Sequence, residues 1–159
     1  MSQLRPNVCI LLLNREGKLF LGERVDEFNH WQFPQGGVEA GDSPEEAVIR
    51  ELREELGIGA ENLRIIHRLN STYSYEWDQS RWYGESEFSG QSQTFWLVEF
   101  LGEDSDIDLH TSEQEFHQWQ WIEPEDAMNT VAEIRRSGYK HPLEELQKYL
   151  KTKDSSKGE

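Results

Sequence analysis

The stretch WQFPQGGVEAGDSPEEAVIRELREELG, residues 31–57, constrains this chain more than any other, because it prescribes a glycine loop, a helix start, a helix face and a helix stop in sequence. Pro34, Gly36, Gly37 and Gly41 mark residues 31–42 as a loop. Ser43 with Glu46 three residues on makes a capping box, and Pro44 takes the first helical position, where its missing N–H costs nothing. Val48, Ile49, Leu52 and Leu56 share one stripe at helical spacing, and Gly57 is placed to end the helix in the left-handed conformation. The pattern predicts an amphipathic helix of about three turns, ending at Leu56 and packed on a sheet.

Strands surround it. The apolar run Val8–Leu13, the turn NREG and the run KLFLGER predict a hairpin, with Gly17 supplying the positive φ of the turn. LRIIHRL and TFWLVEFL read as buried strands, and the polar, aromatic-rich stretch between them is either a hairpin excursion or a binding loop. The alternation around His117, Trp119 and Trp121 predicts another strand. EPEDAMNTVAEIRR, opening near Pro124, and HPLEELQKYLK predict two further helices. The expected architecture is α/β, a mixed sheet flanked by helices, forming a single domain over residues 1–150 with a mobile tail over 151–159.

At 159 residues the chain fits one domain. Its formal net charge of −15 disfavours any extended nucleic-acid groove, since such a surface repels phosphate at a distance. A polyphosphate, or one end of a nucleic acid, is still compatible with it where metal ions and a few basic side chains invert the field locally. The one cysteine, Cys9, lies in the run VCILLL and reads as a buried, inert thiol, which suits a reducing cytoplasmic setting. The first residues hold too short an apolar stretch for a secretory signal or a membrane span, so no membrane association is expected. Self-association is left open.

Glu51, Glu54 and Glu55 stand at i, i+3 and i+4 and therefore emerge on one helix face. Each like-charge pair costs about 0.2–0.5 kcal/mol on an exposed helix, which solvent can absorb, so a solvated face balanced by Arg50 and Arg53 is the simplest reading. Two features favour a metal site. The glycines let the preceding loop curl its backbone close to the acids, and three convergent carboxylates are the hard oxygen ligands that Mg²⁺ prefers, with Mn²⁺ as substitute.

From Gly36 to Ile58 the sequence resembles the signature of the Nudix hydrolase superfamily, through Gly36, Arg50, Glu51, Leu52, Glu54, Glu55, Gly57 and Ile58. Asp42 stands where that pattern has Glu, at a position that pairs with the arginine. The resemblance implies a three-layer α/β/α Nudix fold and Mg²⁺-dependent cleavage of a nucleoside diphosphate linked to another group. The metal set it implies is Gly36, Glu51, Glu54, Glu55 and Glu115, with Glu54, Glu115 and Arg50 as catalytic residues and either Glu54 or Glu115 as the base.

LRPNVCILLLN, WQFPQGG and GQSQTFWLV are similar to the subgroup of bacterial RNA pyrophosphohydrolases and dinucleoside polyphosphate hydrolases. That similarity implies a partner that is the 5′ end of RNA or a nucleoside polyphosphate, with removal of pyrophosphate from triphosphorylated RNA as the activity, a step of mRNA decay. It places Arg5 near the phosphates. YKHP resembles an aromatic-Lys-Arg-Pro run that makes Tyr139 a base-stacking and Lys140 a phosphate-binding residue. Arg24, Gln35 and Gln93 are further pocket residues, and Trp77 and Trp82 are either wall or stacking platform. The rival readings are hydrolysis of dinucleoside polyphosphates such as diadenosine tetraphosphate, or of nucleotides such as dGTP, and a non-catalytic ligand sensor.

Overall fold

The computed structural model describes residues 3–157, with side chains to residue 153. Its sheet is built from β1 (Leu4–Leu13), β2 (Leu19–Arg24), β3 (Trp31–Gln32), β4 (Gln35–Gly37), β5 (Leu63–Tyr83), β6 (Ser86–Phe100) and β7 (Phe116–Ile122). The order is β3-β2-β1-β6-β5, with β4 pairing β1 and β7 pairing β2. β1 and β6 run parallel and every other pair antiparallel, so the sheet is mixed as expected. The run from Val8 to Leu13 is buried on both faces of β1, which explains why it reads as continuous rather than alternating apolar sequence.

Two layers cover the sheet. The helix α1 (Pro44–Leu56) buries Ala47, Val48, Leu52 and Leu56 against Val8, Ile10, Leu12 and Phe20. On the other face α3 (Arg136–Lys157) packs Tyr139, Leu143 and Leu146 against Cys9, Leu11, Phe33 and Phe95. The result is the α/β/α arrangement expected. Cys9 is fully buried, and burial pushes its thiol up to about 12. Among the described residues no helix is long and apolar enough to cross a membrane.

The helix start and stop signals are met, whereas the expected loop over 31–42 includes the short strands β3 and β4, and Ile49, expected on the packed stripe, lies at the helix surface beside Arg50 and Arg53. Ser43 Oγ accepts from the Glu46 N–H, the Glu46 side chain accepts from the Ser43 N–H, and Gly57 sits at φ 70° with its N–H on Arg53 and Leu52 carbonyls. Gly17 turns the first hairpin at φ 78°. The polar stretch between LRIIHRL and TFWLVEFL is a hairpin: β5 and β6 continue as paired strands to a tip at Gly84, φ 64°.

Residues 124–135, expected to form one helix, are instead a 3₁₀ turn (Pro124–Asp126), the one-turn helix α2 (Ala127–Thr130) and a second 3₁₀ turn (Glu133–Arg135). Extended backbone at Val131 and Ala132 breaks the helix, because Val131 is buried and the Ala132 N–H donates to the Trp31 carbonyl at 3.0 Å. Tertiary pairing overrides local propensity there. α3 starts before the expected HPLEELQKYLK, carries Pro142 within it, and keeps helical backbone through residue 157 of the 151–159 tail; residues 158–159 lie outside those described.

Candidate functional site

β4 holds the glycine loop against β1, with Gly36 opposite Val8 and Gly37 opposite Asn7. This brings the loop backbone up to α1. A Cβ on Gly36 would overlap the Glu51 carboxyl group, so only glycine lets that backbone approach the acid. Arg50 locks the two elements together: its guanidinium pairs with Asp42 and donates from Nη2 to the Gly37 carbonyl at 2.8 Å. The same group lies 3.6 Å from Glu51, 3.8 Å from Glu54 and 3.9 Å from Glu39. The shorter carboxylate at position 42 therefore still reaches the arginine.

The acids differ in burial. Glu55 is 7 % exposed, its Oε2 is buried without a hydrogen-bond partner, and the Gln35 backbone supplies a hydrogen bond to its carboxyl. Burial first, and then the charges of Glu51 and Glu115, push its pKa well above the ordinary carboxyl range. Glu51 is raised to about 7, by burial and then by Glu54, with Arg50 pulling the other way. Glu54 points outward, its side chain 54 % exposed. Glu115 lies half-buried just before β7, its carbonyl accepting from the Val25 N–H, and its charge reaches both Glu55 and Arg24.

Among the described residues no three carboxylate, imidazole or thiol groups gather tightly enough to enclose a cation, so this face is an open array rather than a closed cage. Its chemistry nevertheless fits a hard divalent ion. The donors are all oxygens, one buried carboxylate oxygen is unpaired, and the space a side chain would fill at Gly36 is taken by Glu51.

The face adjoins a cavity of about 1020 Å³ on the α3 side of the sheet, which they share at Gln35. Arg24, Gln35 and Gln93 all line it. Gln93 is buried and donates from Nε2 to Gln35 Oε1 at 2.6 Å and Asn7 Oδ1 at 3.1 Å, while Arg24 is forked onto Asp26 with two contacts of 2.7 Å. Arg5 lies against Gly37 and places its guanidinium 3.7 Å over the Tyr83 ring.

Two expectations fail. Tyr139 borders the cavity but is 1 % exposed and stacked on Phe33 at 4.4 Å between centroids, with its hydroxyl accepting the Phe33 N–H at 3.2 Å, so its ring is committed to the core and offers no free face to a base. Lys140 is exposed on α3 and is not among the residues lining the cavity. The aromatic of YKHP faces inward because α3 must cover the sheet, which turns its neighbour outward.

The sequence reading missed Tyr75, Arg81 and Arg135 as cavity residues. Arg135 donates to Gln32 Oε1 at 2.9 Å and His30 Nε2 at 3.3 Å. Tyr73, Tyr75 and Trp77 alternate along β5 and line the cavity together, a period-2 signal that the polar composition of that stretch concealed.

Comparison with known proteins gives a consistent picture. The NUDIX domain model matches residues 3–146. The chain is 39 % identical over 147 residues to an RNA pyrophosphohydrolase of Sphingopyxis alaskensis, covering 89 % of this chain and 92 % of that one. It is 38 % identical over 149 residues to an RNA pyrophosphohydrolase of Hydrogenovibrio crunogenus, covering 92 % and 90 %. In fold it is similar to an Ap4A hydrolase of C. elegans (TM-score 0.66, 22 % identity, 92 % and 98 % covered) and to the MutT protein of Methanosarcina mazei (TM-score 0.66, 18 % identity, 94 % and 97 % covered).

Proposed function

The chain belongs to the NUDIX domain family, and we propose that it is an RNA pyrophosphohydrolase, a phosphoanhydride hydrolase that converts the 5′-triphosphate end of RNA to a 5′-monophosphate. The observation that carries this reading is the placement of Glu51 against the Gly36 backbone and of Glu55 against the Gln35 backbone, beside a cavity lined by Arg24 and Arg135, in a chain 38–39 % identical to relatives of that name. Glu51, Glu54, Glu55, Glu115 and the Gly36 backbone are the groups that would hold Mg²⁺, with Mn²⁺ as a substitute. Such an ion, when bound, neutralises phosphate oxygens and lowers the pKa of water.

The side chains then divide the work. Arg50 holds the loop against the helix through Asp42 and Gly37, which keeps the Gly36 backbone beside Glu51. Glu54, the most exposed acid of the helix face, takes the proton from the attacking water, and Glu115 approaches the same face from outside the helix. Arg5 and Arg24 steer the phosphates, and Gln35 and Gln93 form the polar seam between acid face and cavity. The activity belongs in the cytoplasm, on RNA ends entering decay.

The test is release of pyrophosphate or phosphate from a short 5′-triphosphate RNA with Mg²⁺, beside diadenosine tetraphosphate and dGTP at equal concentration. Preference for the RNA, with a loss of about 10²–10⁴-fold in Glu54→Gln, is expected. Preference for either small nucleotide moves the role to nucleotide clearance, and unchanged rates in Glu54→Gln refute the assignment of the base.

A further inference from the structure

The long β5–β6 hairpin carries chemistry that the phosphate site does not use. Tyr73 pairs with Gln93 and Tyr75 with Gln91, so this ladder of side chains starts at the polar seam beside the acid face. Trp77 follows on the same side, about 13 Å of strand beyond Tyr73. The register then shifts between Glu76 and Arg81, and Arg81 folds back with its guanidinium 4.2 Å over the Trp77 ring. Both line the cavity, Arg81 is exposed, and among the described residues no carboxylate pairs with it. A tryptophan face and an unpaired guanidinium, side by side on a cavity wall in an acidic chain, are the two groups that bind single-stranded bases without regard to sequence.

We propose that Trp77 and Arg81 form a stacking platform for a base of the RNA beyond its first nucleotide, making the hairpin tip the element that distinguishes an RNA end from a mononucleotide. This rests on the RNA pyrophosphohydrolase reading and adds to it the residues that choose the substrate. A nucleoside seated beside Gln35 and Gln93 ends short of Trp77, whereas the next nucleotides of a chain run along the ladder towards it. The platform tolerates any base, because every base offers a π face. A purely structural pair would stabilise the hairpin through the contact of Trp77 with Tyr83, at 6.2 Å between centroids, and leave substrate length unread.

The experiment measures KM for a 5′-triphosphate RNA tetranucleotide and for ATP, in the full chain with Mg²⁺, for the wild type, Trp77→Ala, Arg81→Ala and Trp77→Phe. Trp77→Ala and Arg81→Ala are expected to raise KM for the tetranucleotide roughly tenfold and to leave KM for ATP unchanged, with Trp77→Phe close to wild type. An equal rise for both substrates, or none for the tetranucleotide, overturns the platform. Equilibrium binding separates it from the activity beneath it: a 5′-monophosphate tetranucleotide and AMP are titrated against intrinsic tryptophan fluorescence in the wild type and Arg81→Ala. Roughly tenfold weaker binding of the tetranucleotide alone supports the platform even where no hydrolysis is seen, and equal affinities refute it even where hydrolysis is robust.

Discussion

Glu51→Gln in the metal-free protein tests the electrostatics of the acid face directly. The Glu51 side chain is 13 % exposed and its carboxyl is raised from 4.5 to about 7 by burial and by Glu54. The folded protein thus holds this proton more tightly than the unfolded chain does. Stability from Glu51 is full below pH 4.5, falls as pH rises, and is lost once pH passes about 7. At about 1.36 kcal/mol per pH unit the loss is about 3 kcal/mol. Glutamine has no proton to lose, so at pH 8 in a chelator the variant should exceed the wild type by about 3 kcal/mol, or about 6–12 °C in Tm for a chain of this size, and match it at pH 4.5. Glu55 loses stability in the same direction, so the pH slope shrinks in the variant without vanishing. Adding Mg²⁺ should raise the Tm of the wild type at pH 8 and raise that of the variant far less. The assay is thermal denaturation from pH 4.5 to 8, with chelator and with Mg²⁺. The competing force is the Arg50 guanidinium, 3.6 Å from Glu51. If Glu51→Gln melts below the wild type at pH 8 in chelator, that ion pair outweighs desolvation and the reasoning is wrong.

Gly36→Ala puts a methyl group into the Glu51 carboxyl and must displace it; a loss of at least roughly tenfold in kcat/KM and weaker Mn²⁺ binding by calorimetry are expected, with a smaller change in Tm. Arg50→Lys keeps the charge but loses the fork that joins Asp42 to the Gly37 carbonyl, and thermal melts should show about 1.5–3 kcal/mol of lost stability together with reduced activity. Tyr139→Phe leaves the buried Phe33 N–H without its acceptor, so about 1–3 kcal/mol of stability is lost while KM for RNA stays unchanged; a raised KM with an unchanged Tm would restore a substrate-stacking role to this ring.

The features legible in the sequence are those whose cause is local. The α1 start needs only Ser43, Pro44 and Glu46, its end only Gly57, and the first hairpin only Gly17 between two apolar runs. Three acids at i, i+3 and i+4 announce a shared face on any helix. What escaped depends on partners far along the chain. The break at Val131 and Ala132 comes from a hydrogen bond to Trp31, and Arg135 reaches the cavity only because that break redirects the chain into α3. Arg81 joins Trp77 through a register shift that no composition encodes. Tyr139 was misplaced for a related reason: a motif names an aromatic residue, but the packing of its helix decides which side of the sheet layer that ring faces.

For a chain of net charge −15, the proposed polyphosphate substrate poses a conflict, and the residues divide the task of resolving it unevenly. Near the acid face the cavity wall brings Arg24 and Arg135 together with Glu27 and Glu133, and Arg24 shares its charge with Asp26. That leaves little net positive charge for a triphosphate. The helix face is worse, since its acids repel one another and the substrate alike. Both deficits have the same remedy. A divalent ion held by the acid face would relieve the repulsion at Glu51 and Glu55 and would supply the charge that the arginines do not. On the proposed reading ion and substrate would therefore each favour binding of the other, and affinity for the phosphate chain would follow the ion more closely than any single arginine.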